Sequence, residues 1–490
     1  MGNEPGPVAT TGNDLVWMSA TELSSLIRAR RLSPVELVDA LLERIDALNP
    51  RLRAYLCVDH DGAREAARGA EAAVMRGDAL GLLHGLPVSI KDARDVKGMP
   101  TTKGSPVTSG NPLPVEDGYL PGLTRRAGAI LLGKTNLPAF GHYDVTQNLL
   151  GPPCVNPWDL RMNSGGSSGG AACAAAAGLG PLHHGSDAGG SVRIPADRCG
   201  VLGFKPSVGR IGFPGTSSFG CGISHEGTLT RTVADAALLM GAWSRPCKYD
   251  YFSIDAAPQD YSGALAGWEK ALAGKKVGFT LDYGWIKAVD PEVRRLVTAA
   301  SLRFSELGCK VEEVKPGWSN PLRAFLALWC PSWSPVKALF QGRPELMDET
   351  FKEQLEIGSR VTTEQFVRAL IVKQEIFQSV QKFFDGYDLL LSPVCAVPAF
   401  PQGEEPTEID GTPTSYLDMD MHRLIARIPF TPVFNMTGNP AASVPCGFTD
   451  QGLPVGLHVA GGWHQDALVL QACAGFEAIQ PWSGRRPGGI

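Results

Sequence analysis

The chain has 490 residues, 43% of them hydrophobic and 19% charged, with a formal net charge of −5. That length admits roughly two to four ordinary domains or one large α/β body, and the composition suits a soluble globular protein with a large core. So small a net charge gives no reason to expect nucleic acid or an anionic membrane as a partner.

Residues 1–14 lack a basic region followed by an apolar run, and Gly6 stands where N-myristoylation needs Ser or Thr, so neither signal is expected. No apolar run reaches the ~18 residues of a membrane span. Capping boxes at Ser19/Glu22 and Ser33/Glu36 open two helices. The second has Pro34 at its first position, keeps Val35, Val38, Leu41, Leu42, Ile45 and Leu48 at helical spacing, and is expected to end at Asn49-Pro50. An Ala-rich third helix is expected over residues 62–76.

Residues 85–92 read as a strand buried on both faces with Lys91 near its end, which sets that lysine apart from ordinary solvated ones. A helix over 122–127 and a strand over 129–132 follow. The alternation indicates a largely parallel or mixed sheet with helical cover. Residues 163–193 hold two Gly/Ser-rich turns around an Ala-rich helix and a short strand. Next come a strand at 201–206, a Gly/Ser-rich loop over 210–225 and an amphipathic helix over 231–240. Residues 276–280, 290 onward and 310–314 form a βαβ unit. Residues 316–386 are helical and start with Trp318, Phe325, Trp329, Trp333 and Phe340. Such aromatics belong to a core or to a substrate wall. Strands at 389–393, 440–445 and 455–459 and a helix over 467–479 close the chain.

The eleven cysteines contain no C-x-x-C pair, and several lie in apolar stretches (Cys173, Cys199), which points to reduced, buried thiols in a cytoplasmic protein. No H-E-x-x-H occurs, and His183 and His184 would face opposite sides of a strand, so no metal site is expected. No G-x-x-x-x-G-K-[ST] or G-x-G-x-x-G loop suggests a nucleotide, and no cofactor is expected.

Two serines could carry chemistry. Gly166-Ser-Ser-Gly-Gly170 matches G-x-S-x-G and would make Ser168 a nucleophile, but that motif follows a strand, and residues 156–164 read as loop. Asp187-Ala-Gly-Gly-Ser191 offers a nest of backbone N–H groups for an oxyanion beside Ser191. A buried lysine of depressed pKa can serve as the base, and Lys91 is the candidate.

Lys91 in GLPVSIKD, the GGSSGG turn and GSDAGGSVRIPA followed by CGVLGFKPSVGRIG resemble the amidase signature family. TTKGS at 101–105, AGAILLGKTNLPAF at 127–140, NPWD at 156–159, RTVADA at 231–236 and NMTGNPAASVPCGFTDQGLPVGLHVAGG extend the resemblance over nearly the whole chain except its first residues and the helical insertion. The resemblance implies an α/β fold, a large mixed β-sheet covered on both faces by helices. Its parts would be N-terminal helices (1–75), a catalytic core (76–315), an insertion forming a substrate wall (316–386) and the rest of the core (387–490).

It also implies a triad: Ser191 as nucleophile, Ser167 in cis peptide linkage to Gly166 as the bridging serine, and Lys91 as base. The N–H groups of Ala188, Gly189, Gly190 and Ser191 would hold the oxyanion, Ser168 would hydrogen-bond Lys91, and Asp187 and Arg193 would brace the loop. Ser186, Ser164, Ala139 and Ser207 depart from the usual threonine, proline, glutamate and threonine without removing a catalytic group. The region of Ala139, Tyr143 and Gln147 is expected near the substrate entrance.

The implied activity is hydrolysis of an amide C–N bond, extending to aryl esters and carbamates, as in aryl acylamidase or urethanase members. The protein would be a monomer or homodimer acting on a small molecule. An amidotransferase A-type subunit, releasing ammonia from glutamine for a partner, is the alternative. The presence of Lys91, Ser167 and Ser191 argues against a catalytically dead binding protein.

Overall fold

In a computed structural model of the chain, which describes residues 12–214, 221–488 and 490, the frame is one eleven-stranded mixed sheet. Its strands are β1 (Tyr55–Val58), β2 (Pro87–Lys91), β3 (Ile130–Thr135), β4 (Leu182–Asp187), β5 (Leu202–Lys205), β6 (His225–Thr230), β7 (Lys276–Phe279), β8 (Lys310–Glu313), β9 (Leu389–Pro393), β10 (Ala441–Phe448) and β11 (Pro454–Gly461). They lie side by side as β1-β3-β2-β4-β6-β5-β10-β11-β9-β7-β8. β2 runs parallel to both β3 and β4, so the carboxyl ends of β2 and β4 emerge together, at Lys91 and Asp187. Open α/β sheets bind ligands outside such strand ends. Every residue of β2 and β3 is buried, the mark of strands covered on both faces.

Two strands stand outside the expected set. β6 reads His-Glu-Gly-Thr-Leu-Thr and sits in mid-sheet, where Glu226 meets His184 and His225 Nδ1 meets the Asp187 carbonyl, both on β4. β1 adds an edge strand to the N-terminal part, which is therefore not helical alone. The insertion interrupts the sequence of the sheet but not the sheet, since β9 pairs with β7 from before it and β11 from after it.

The helices that matter here are α1 (Pro34–Leu52), α2 (Gly169–Ala176), α3 (Arg193–Cys199), α4 (Val233–Trp243), α5 (Leu322–Trp329), α6 (Glu349–Arg360) and α7 (Thr363–Phe384). α1 does not stop at Asn49-Pro50. It carries Pro50 in its last turn and ends at Arg53 in the left-handed conformation, whose N–H donates to Asn49 O at 2.8 Å. α4 is not amphipathic: all but two of its residues are buried, because it packs between the sheet and other helices. Residues 155–163 are not loop either. Val155–Asn156 and Asp159–Asn163 form a small antiparallel hairpin outside the main sheet. The expected loop over 210–225 lies in part outside the described residues.

One hydrophobic core runs from Leu15 to Trp482 and includes Phe325 and Trp329 of the insertion. A satellite cluster of Val107, Ala139, Phe140, Phe340, Phe351 and Leu355 ties the segment after β3 to α6. No helix among the described residues is long and apolar enough to cross a membrane.

Candidate active site

Lys91 ends β2 with its amine in the interior, 1% exposed. Nζ lies 2.7 Å from Ser167 Oγ, 2.9 Å from Ser168 Oγ, and 3.1 Å and 3.4 Å from Ser186 Oγ and O. Burial, helped by the nearby Arg94 cation and opposed by Asp187 and Glu226, pulls its pKa down from 10.5 to about 7. A neutral amine has one lone pair and two N–H groups. It can take a proton from Ser167 while donating to Ser168 and Ser186.

The Gly166–Ser167 peptide bond is cis, and Ser168 caps α2. Gly166 has no room for a side chain: a Cβ there would stand 2.6 Å from Tyr143 O. A strand does precede this turn, yet Ser168 is no nucleophile elbow. Its hydroxyl is buried against Lys91 and the Ser186 carbonyl, and among the described residues no histidine hydrogen-bonds it.

Ser191 lies just before α3 and lines the same cavity as Lys91 and Ser167. Its carbonyl accepts from Ser168 N–H at 3.1 Å, joining the two turns. The loop between Asp187 and Arg193 is held from beneath. Asp187 accepts from Gly190 N (2.7 Å), Val192 N (3.1 Å), Arg193 Nε and Nη2 (both 2.9 Å) and Asn435 Nδ2 (2.8 Å). Burial alone would raise the pKa of this carboxyl; Arg193, Lys205 and Asn435 outweigh it and hold Asp187 well below the usual carboxylate range. Arg193 is itself sealed, donating onward to Thr431 O and Asn435 Oδ1.

One expected oxyanion donor is thereby corrected. Gly190 N–H is already committed to Asp187. The N–H groups of Ala188, Gly189 and Ser191 donate to no described residue, so the loop offers three donors rather than four. Gly190 is needed for shape instead: its φ is +126°, and a Cβ would meet Thr431 Oγ1 at 2.3 Å.

Phe140, Phe213, Trp329 and Trp333 give the cavity aromatic walls, two of them from the insertion. A smaller cavity on the other side of Ser191 is lined by Tyr143, Ile194, Phe325, Trp329, Leu424 and Ile425 among others. Tyr143 thus stands near the site as expected. Ala139 turns into the satellite cluster and Gln147 pairs with Gln402, so neither lines these two cavities.

Sequence reasoning missed the groups around Lys91 that come from other strands. Ser186 touches the amine, and its position just before Asp187 was the available signal. Arg94, Glu226 and His184 form a chain beside it, partly exposed at Arg94 and buried at the other two: Arg94 Nε donates to Glu226 Oε1 at 2.6 Å, Glu226 Oε2 lies 2.9 Å from His184 Nε2, and His184 Nδ1 accepts from Lys91 N–H at 3.2 Å.

A family model described as Amidase matches residues 36–470. An acylamidase of Rhodococcus erythropolis is 37% identical over an alignment covering 97% of this chain and 98% of that protein. The A-type subunit of a glutamyl-tRNA(Gln) amidotransferase from Moorella thermoacetica is 33% identical, with 97% and 99% covered. Among solved structures, a bacterial aryl acylamidase of the amidase signature enzymes is similar with a TM-score of 0.88 at 32% identity, covering 96% of this chain and 99% of that one.

Proposed function

We infer the reaction from one premise, that this chain belongs to the amidase family: it hydrolyses the C–N bond of a carboxylic amide through an acyl-enzyme on Ser191. The observation that carries this reading is the buried Lys91 amine, 2.7 Å from Ser167 Oγ, in a cavity lined also by Ser191 and Ala188 of the loop whose backbone donors are open.

Neutral Lys91 takes the Ser167 proton as Ser167 takes that of Ser191, and Ser191 Oγ attacks the carbonyl carbon. The N–H groups of Ala188, Gly189 and Ser191 receive the oxyanion, where loss of one such donor costs ~3 kcal/mol. As the tetrahedral species collapses, the C–N bond breaks and the proton returns through Ser167 to the leaving amine. Water, deprotonated by the same relay, then attacks the ester and releases the acid. Ser168 and Ser186 hold the amine in line, and Asp187 and Arg193 hold the loop.

The aromatic walls favour a bulky or aryl group on the substrate. Aryl esters and carbamates pass through the same kind of tetrahedral intermediate, so urethane cleavage is within reach of the site. In folded protein, Ser191→Ala and Lys91→Ala should each lower p-nitroacetanilide hydrolysis by about a thousandfold or more. Near-normal turnover by folded Ser191→Ala would overturn the assignment.

The likeness to the A-type component of amidotransferases favours a second reading, release of ammonia from glutamine for a partner. Aryl amide turnover by the isolated chain, with no glutaminase activity, decides against it.

A further inference from the structure

We propose that Arg94 selects substrates bearing a carboxylate near the scissile amide, making the preferred amides anionic. This rests on the hydrolase reading of Ser191 and specifies its substrate class. Arg94 lines the cavity together with Lys91, Ser167 and Ser191. Its guanidinium is fixed from several sides: Nε donates to Glu226 Oε1 at 2.6 Å, Nη1 to Ala93 O at 3.0 Å, and Cζ lies 4.2 Å from the centre of the Phe213 ring. The arginine fork carries more N–H donors than those two hydrogen bonds use, and no other described atom accepts from it.

The rest of the local charge faces away or is spent. Glu226 is 2% exposed, with one oxygen on Arg94 and the other on His184. The Asp187 carboxylate is consumed by its own loop, Arg193 and Asn435. Lys91 works as a neutral amine. Among the described residues, the charge that the cavity shows a ligand is therefore the partly exposed guanidinium, already oriented by Glu226 and Phe213. A planar fork held in place binds a carboxylate with little further ordering cost.

Arg94 also helps keep Lys91 neutral. That influence reaches every substrate alike, whereas recognition depends on what the substrate carries. The test compares amides that differ only in carboxylate versus methyl. On the acyl side these are the mono-p-nitroanilide of succinic acid and p-nitrobutyranilide. On the amine side they are 4-acetamidobenzoate and 4-methylacetanilide. With the full chain, one pair should favour the acid by about tenfold or more in kcat/KM, chiefly through KM. Arg94→Gln should lower that acid-to-methyl ratio by about tenfold, with Arg94→Lys between.

A ratio of one or less for both pairs in the wild type overturns the proposal. So does a ratio unchanged in Arg94→Gln, since slowing both members equally, with a shifted pH profile, places Arg94 on Lys91 alone. If Arg94→Gln does not fold, the wild-type ratios decide, together with inhibition by benzoate exceeding that by benzamide. Turnover of neutral p-nitroacetanilide separates the two readings: its absence removes the hydrolase itself, and its presence without acid preference removes only this inference.

Discussion

A lysine that must accept a proton near neutral pH has to be taken out of water, and Lys91 is. Burial is the largest cause of its fall to about 7, Arg94 adds to it, and Asp187 and Glu226 pull the other way. Once protonated, the amine has no lone pair for Ser167. The expected kcat/KM for an amide therefore falls as pH drops through about 7 and is level above it, in assays from roughly pH 5 to 9. Glu226→Gln removes an anion that favours the charged amine, so the limb should move to lower pH. An acid limb in the ordinary carboxylate range near ~4 would point to a different base. Lys91 and Ser191 were legible in the sequence because each sits in a local pattern, an apolar strand end and a glycine nest. Ser186, Arg94 and Glu226 were not, because what makes them matter is a contact from another strand.

Elements with a strong apolar signature declared themselves: β2, β3, β9, β10 and β11 fall where their apolar runs stand, and the βαβ unit pairs as expected. β6 escaped because its side chains are polar and its stability comes from pairing with β4 and β5. The same limit applies to the loop between Asp187 and Arg193. Its glycines can be read from the sequence, but not that Asp187 would claim the Gly190 N–H or that Asn435, from far along the chain, would bond both the Asp187 carboxylate and its carbonyl. Gly190→Ala tests how far the loop depends on that shape. With φ at +126° and Thr431 Oγ1 at 2.3 Å from the new Cβ, the loop must shift. The expected result is a fall in kcat of about a hundredfold with a modest change in KM, because displaced N–H donors stabilise the transition state less. Unaltered kcat in that variant would remove the loop from the chemistry.

On the scale of the whole molecule, the insertion is bound into the body of the protein. Phe325 and Trp329 belong to the main core, and Phe340, Phe351 and Leu355 close over Phe140 in the satellite cluster. His142 Nε2 lies 2.8 Å from Thr350 Oγ1, a polar tie at the start of α6. Phe351 stacks on Phe140 at 5.3 Å between centroids and meets Trp333 at 6.1 Å, and both partners line the cavity that holds Lys91 and Ser191. Removing the Phe351 ring therefore takes away the support of two cavity walls without touching the cavity itself. Phe351→Ala should cost ~3–5 kcal/mol of stability, read by denaturant unfolding. It should also lower kcat/KM for an aryl amide by about tenfold through KM, with a smaller effect on acetamide, which is too small to lean on those walls. An insertion that only decorated the fold would give the same loss of stability with the aryl-to-acetamide ratio unchanged, so the ratio, not the stability, decides whether residues 316–386 shape the substrate.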